Sequence, residues 1–293
     1  MRAEAKRRLL ALLAAATLVA GSANADPAAW RIAGSDGGEI VLLGSMHLLR
    51  ARDYPLPAAV DRLVDRAETV VMEVDLDDGD LAAQQRLILE KALLPQGTEL
   101  ADVVDAELYG VLEQGAAEAG IDLELLTRFE PWFLAISMLE VGMRKVGFEA
   151  ERGIEQYVLG LTRADGKEVL GLETLEFQIG IFDAMTPELQ REFLAQTLTE
   201  LEDAETTMNA MSDAWRAGEL ETLSGELLAS FEEFPGLYDT LVTERNEKWV
   251  GSLEDMLDDR TRYLVVVGAL HLVGDGSVID LLEARGHPVQ RIH

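Results

Sequence analysis

From residue 29 onward, short aliphatic runs alternate with longer stretches whose apolar positions recur at helical spacing. Residues 29–33 and 39–43 are short apolar runs around Ser35-Asp36-Gly37-Gly38, which predicts a hairpin. Residues 56–67 have helical periodicity and lead into Thr69-Val70-Val71-Met72-Glu73-Val74, a short β-branched run that reads as a buried strand. Strand, helix and strand at this spacing form a βαβ unit with a right-handed crossover. The pattern then turns helical over 81–94, where Pro95 stops it, and over 101–119, ending at Gly120. It continues over 131–146, with Pro131 in the first turn, and over 151–163. Another short strand is predicted at Glu168-Val169-Leu170-Gly171-Leu172. Residues 174–259 are helical again, with breaks near Pro187, Gly218 and Pro235-Gly236. Tyr263-Leu264-Val265-Val266-Val267 is the clearest strand. Residues 277–285 form a capped helix stopped by Gly286, and 288–292 an edge strand where Pro288 is tolerated. The expected fold is α/β: one domain with a split, mostly parallel sheet built from both ends of the chain. A long helical insertion, about 80–165 and 174–259, fills the middle. No internal repeat interrupts it.

The first 25 residues follow a different logic. Arg2, Lys6, Arg7 and Arg8 precede an uncharged run from Leu9 to Ala20, and Ala23-Asn24-Ala25 gives a small-residue cleavage site before Asp26. This is the layout of a secretory signal peptide, and the run is too short to anchor the chain across a bilayer. The expectation is an exported protein, periplasmic or secreted, comprising residues 26–293, with no transmembrane anchor. The chain has no cysteine, which excludes disulfides, a lipidated cysteine anchor and thiolate metal sites. A net charge of −29 argues against nucleic acid and anionic membrane surfaces as partners.

Chemistry-bearing residues are scarce, and that makes them informative. Of four histidines, two share one local context. Ile40-Val41-Leu42-Leu43 leads into Gly44-Ser45-Met46-His47, and Leu264-Val265-Val266-Val267 leads into Gly268-Ala269-Leu270-His271. In each, an aliphatic strand ends at a Gly, which suits a sharp turn or a close backbone approach. The His follows just beyond the strand's C-terminal edge, where open α/β sheets bind ligands. Glu73 interrupts one apolar strand and Glu173 ends another. A carboxylate in either place is costly unless paired, hydrogen-bonded or bound to metal. Adjacent parallel strands would bring His47, Glu73, Glu173 and His271 to one crevice, a ligand set that suits Zn, Mn, Co or Fe. His287 and His293 follow no strand-Gly turn and are expected elsewhere. A strand-end His is expected to contribute little to the core. No His-Glu-x-x-His or Gly-x-Ser-x-Gly motif is present, no triad order supports Ser45 as a nucleophile, and Gly274-Asp275-Gly276 reads as a turn.

Taken in order, these segments resemble the TraB/GumN family, related to the Tiki proteases. The resemblance rests on the two Gly-x-x-His motifs, Glu73 in Val71-Met72-Glu73-Val74 and Leu172-Glu173-Thr174 with Glu176 and Gln178. It rests also on Arg245-Asn246 with Trp249 three residues on, and on Gly286 before the last strand. It implies an α/β core like that of erythromycin-esterase-like and ChaN-like proteins. It further implies a metal-dependent hydrolase, peptidase-like, acting on a peptide or protein with a divalent metal (Mn, Co or Zn). His47, Glu73 and His271 are the implied ligands. Glu73 or Glu173 would be the base, and Arg245 and Asn246 would face the site. A non-enzymatic haem- or metal-binding envelope protein of ChaN-like type, and a structural helper of envelope assembly, are the alternatives.

Overall fold

The structure, a computed structural model, describes residues 28–34, 37–75, 80–229, 231–232 and 234–292. The expected leader and cleavage site, Ser35 and Asp36 of the expected turn, and His293 lie outside the described residues.

Six strands form one sheet: β1 (Ala29–Ala33), β2 (Glu39–Ser45), β3 (Thr69–Val74), β4 (Glu168–Glu173), β5 (Arg262–Gly268) and β6 (Val289–Arg291), in the order β4-β3-β5-β2-β1-β6. The central pairings β2–β5, β5–β3 and β3–β4 are parallel, and β1 runs antiparallel to both β2 and β6. Register is tight across the parallel part: Leu42 lies opposite Val265, Val265 opposite Val71, and Val71 opposite Leu170. Successive side chains of a strand point to opposite faces, and both Leu42 and Leu43 of β2 are fully buried, so both faces are covered at the centre of the sheet, while β1 and β4 keep exposed positions. The central runs Ile40–Leu43, Val70–Met72 and Leu264–Val267 are accordingly apolar, as read from the sequence.

Helices α1 (Ala58–Arg66), α2 (Leu81–Ala92), α3 (Ala106–Ala119), α4 (Pro131–Lys145) and α5 (Ile154–Asp165) precede β4. After it come α6 (Leu175–Asp183), α7 (Pro187–Glu200), α8 (Ala204–Ala217), α9 (Leu220–Ala229), α10 (Glu244–Leu257) and α11 (Val278–Ala284). The single helix expected over 101–119 is divided. Leu100–Val103 forms one turn, and α3 starts afresh where the Asp105 carboxylate accepts from the Leu108 amide at 2.8 Å. The insertion has a core of its own: Leu100, Leu112, Leu134, Met138 and Leu194 pack apart from the sheet cluster. Leu201 touches both clusters and joins them. Among the described residues, no helix is long and apolar enough to cross a membrane.

Candidate functional site

The sheet register brings the chemistry together. Ser45 at the end of β2 lies opposite Gly268 at the end of β5, and Val74 of β3 lies opposite Glu173 of β4. Four strand ends thus meet on one edge. Neither Gly44 nor Gly268 has a positive φ, so close approach, not a special turn, explains both glycines. A Cβ on Gly268 would sit 3.0 Å from His47 Nε2 and 3.4 Å from Glu73 Oε1, and one on Gly44 would sit 3.2 Å from Ala28 Cβ. The Gly44 carbonyl also accepts from Trp215 Nε1 at 2.7 Å.

His47 faces a cleft of about 270 Å³ with Met72, Glu73, Val74, Glu155, Leu159 and Gln178. Its Nδ1 lies 2.6 Å from Glu155 Oε1, which also accepts from the Ser45 hydroxyl. A carboxylate accepts only, so Nδ1 carries the hydrogen and Nε2 turns toward Glu73 Oε1, 3.9 Å away. The Glu155 charge and hydrogen bond raise the His47 pKa to about 9, although the ring itself is 60% exposed to the cleft.

Glu73 is held from three sides. Its Oε1 accepts from the Gly268 amide at 2.8 Å, and its Oε2 accepts from Arg245 Nη2 at 2.6 Å and Gln178 Nε2 at 3.3 Å. Burial opposes its ionisation, yet the carboxyl is lowered to about 2. Burial drives the His271 imidazole down to about 3, leaving it neutral. The charges that hold Glu73 ionised are therefore those of His47 and Arg245, helped by the Gly268 amide.

His271 lies behind the cleft rather than in its wall. It is 5% exposed, and its ring centroid is 4.4 Å from that of Trp249. Asn246 Nδ2 donates to the Gly276 carbonyl at 3.0 Å, so its Oδ1 accepts from His271 Nδ1 at 2.7 Å. The His271 Nε2 lone pair then accepts from Arg245 Nη1 at 3.2 Å. Two consecutive residues of α10 thus grip both nitrogens of one ring. A wide turn of π-helix, Asp239–Thr243, leads directly into that helix, and such turns recur at functional sites.

Glu173 is deeper still. Its side chain is 4% exposed, accepts from Arg245 Nε and Nη2, and accepts from Trp249 Nε1 at 3.0 Å. The structure therefore sorts the residues read from the sequence into two groups. His47 and Glu73 face the cleft, while His271, Glu173, Arg245 and Asn246 form a bonded network behind it. His287 pairs with Glu254 at 3.1 Å, away from both. Glu155 escaped the sequence reading. An acid in the first turn of a helix is ordinary, and nothing local marks it as the partner of a residue more than a hundred positions earlier.

Imidazoles whose Nδ1 hydrogens are held by fixed acceptors, with Nε2 turned toward a carboxylate, are the donors a divalent ion takes from a protein. His47, Glu73 and His271 fit such an ion in kind. Their placement is another matter. Among the described residues no group of three His, Asp or Glu side chains is close enough to share one ion. The Arg245 guanidinium stands between Glu73 and His271.

The chain is 28% identical over 241 residues to the uncharacterized protein YbaP of Escherichia coli (strain K12), covering 82% of this chain and 86% of that protein. The match to the YbaP of Shigella flexneri has the same identity and coverage. No solved structure matches. The model of the TraB/PrgY/gumN family matches residues 28–291, from the first strand through both Gly-x-x-His strand ends to the last, and the chain belongs to that family.

Proposed function

We propose that the cleft at the ends of β2, β3 and β5 is the active site of a metal-dependent hydrolase that cleaves peptide bonds. His47, Glu73 and His271 would hold a divalent ion, Mn²⁺, Co²⁺ or Zn²⁺, which when bound supplies Lewis acidity and an acidified water. The observation that carries the reading is the matched treatment of the two histidines. Glu155 fixes the Nδ1 hydrogen of His47, and Asn246 fixes that of His271. His47 Nε2 is thereby turned toward Glu73, and His271 Nε2 is left as an acceptor for Arg245. Outer partners of this kind set the tautomer and basicity of metal-binding histidines.

The remaining residues of the cleft have separable jobs. Met72, Val74 and Leu159 give it an apolar wall that excludes water and accepts an apolar side chain beside the scissile bond. Gln178 and the Gly268 amide hold the Glu73 carboxylate in a single orientation. The export signal belongs to the same proposal, with a polypeptide substrate met outside the cytoplasm. N-terminal sequencing should then find a mature chain starting at Asp26.

The test is a peptide mixture incubated with purified protein and added Mn²⁺, Co²⁺ or Zn²⁺, with new amines as the readout. Metal-dependent amine release that is lost in His47→Ala is the expected result. A haem absorbance band without amine release would assign the cleft to a non-enzymatic binding protein instead.

A further inference from the structure

β4 is an edge strand, and its outer side is bare. It pairs with β3 alone, and among the described residues no other backbone segment hydrogen-bonds to it. Alternate residues of a strand turn their N–H and C=O to the same side, so roughly three of its six residues present unpaired donors and acceptors outward. Where β3 is buried almost throughout, β4 has Glu168 and Gly171 exposed and Val169, Leu170 and Leu172 half-buried. Gly171 is fixed by close approach, since a Cβ there would sit 2.9 Å from the Asp75 amide nitrogen. The backbone in mid-strand is thereby left with no side chain over it. Proteins protect such an edge with a very short strand, a proline, a lysine or a covering segment. The other edge obeys this, because β6 has three residues. β4 has six, with no proline and no lysine among them. Its place is also particular: it ends opposite Val74 of the cleft wall, and Thr174 then starts α6, which supplies Gln178 to the same wall.

We propose that the outer edge of β4 is a strand-addition site, where an extended, basic and apolar polypeptide segment joins the sheet as a seventh strand beside the cleft. The proposal rests on the hydrolase reading for the role of that segment, which would be the substrate. Unpaired backbone groups call for the backbone of another strand, which gives affinity whatever its sequence, and side chains at alternate positions add preference. Neighbouring strands lie about 4.8 Å apart, so the added chain runs about 10 Å from β3 and its Glu73. An extended residue covers about 3.3 Å, which puts the held segment about three residues from a bond lying at Glu73. The net charge of −29 disfavours a second copy of this chain and favours a segment rich in Lys or Arg. Val169, Leu170 and Leu172 favour apolar side chains between those charges. A folded protein has its own strands already paired, so the occupant is an unfolded chain.

The experiment measures binding by fluorescence anisotropy with the whole protein and no added metal, so the readout is independent of catalysis. The probe is a labelled eight-residue peptide of alternating Lys and Val. It is compared with the same peptide N-methylated at every backbone amide, which keeps the side chains and loses the strand donors, and with an alternating Glu and Val peptide. Val169→Pro and Leu170→Pro accompany them. Neighbouring residues turn their N–H groups to opposite sides, so one proline breaks the ladder with β3 and the other blocks only the outer edge; thermal unfolding identifies which. The Lys and Val peptide should bind wild type, and the N-methylated form should bind at least tenfold more weakly, since several hydrogen bonds are lost. The proline variant that keeps the wild-type melting temperature should show the same loss, and the Glu and Val peptide should bind weakly. Binding that ignores N-methylation, or no binding of the Lys and Val peptide, overturns strand addition and leaves the hydrolase reading to its own amine-release assay. A dimer in sedimentation that the folded proline variant abolishes assigns the edge to a second copy and overturns the proposal too. Binding as expected without amine release supports strand addition and overturns the hydrolase reading alone.

Discussion

Gly153→Ala tests how the site is assembled, because a single added methyl would strike the backbone of the first Gly-x-x-His turn. Gly153 caps the N-terminus of α5 with an ordinary backbone, φ −56° and ψ 158°, so conformational strain is not at stake. A Cβ there would lie 2.8 Å from the His47 carbonyl carbon and closer still to its oxygen, where ordinary contact starts at 3.4 Å. Both partners are backbone, and neither can rotate away. The start of α5 must lift off the turn, breaking the Ile154 amide bond to the Met46 carbonyl at 3.1 Å and drawing Glu155 from His47. Overpacking of this kind costs roughly 1–3 kcal/mol, which for a chain of this size lowers the melting temperature by roughly 2–10 °C. The effect specific to the site is electrostatic: freed of Glu155, His47 should titrate near its unperturbed value of about 6.5 instead of about 9. Differential scanning calorimetry and an NMR titration of the His47 ring read the two effects. A folded Gly153→Ala protein with an unchanged His47 midpoint would refute the claim that α5 positions this histidine.

Further consequences follow from the same network. Glu155→Gln should lower the His47 midpoint without steric damage. A raised midpoint contributes stability that is complete below pH 6.5 and lost as pH rises through about 9, so denaturation midpoints across that window should flatten in the variant. His271 titrates the other way. Folded near 3 and unfolded at 6.5, it should cost about 1.4 kcal/mol per pH unit as pH falls through that interval. Glu73 adds to the loss below pH 4.5 and down to about 2; a flat urea midpoint between pH 6 and 4 would contradict the neutral, buried His271. His271→Ala should destabilise the fold by roughly 2–4 kcal/mol, because a buried ring bonded at both nitrogens is removed. His287→Ala should stay within about 0.5 kcal/mol of wild type, and paired chemical denaturation curves separate the two.

The strands were legible because buried parallel strands carry uninterrupted β-branched runs, and the Gly-x-x-His repeat was legible because histidine is rare here. That these strands form one mostly parallel sheet was legible too, but their order was not: β5, from the far end of the chain, inserts between β2 and β3. Depth could not be read. His271 and His47 have the same local sequence, yet one ring lies under Trp249 and the other opens to the cleft, a difference set by helices far away in the chain. The expectation that a strand-end histidine contributes little to the core therefore fails for His271. Glu155 was invisible for a related reason: its role depends on where α5 docks, which Gly153 permits but no pattern announces. The break at Asp105 illustrates the opposite error, where helical periodicity ran through a capping residue that starts a new helix.

The strand order also sets a timetable for synthesis. β2 lies near the start of the chain, but its parallel neighbour β5 comes roughly 220 residues later, a wait of roughly 10–45 s at typical elongation rates of about 5–20 residues per second. Until then, one edge of the first hairpin has nothing to pair with, and His47 faces neither Gly268 nor Arg245. Pairing this remote is the slow step of folding for such topologies. A polypeptide-cutting site built across it would be inert for most of the chain's own synthesis. On the proposed function, the nascent protein would be spared that activity by geometry.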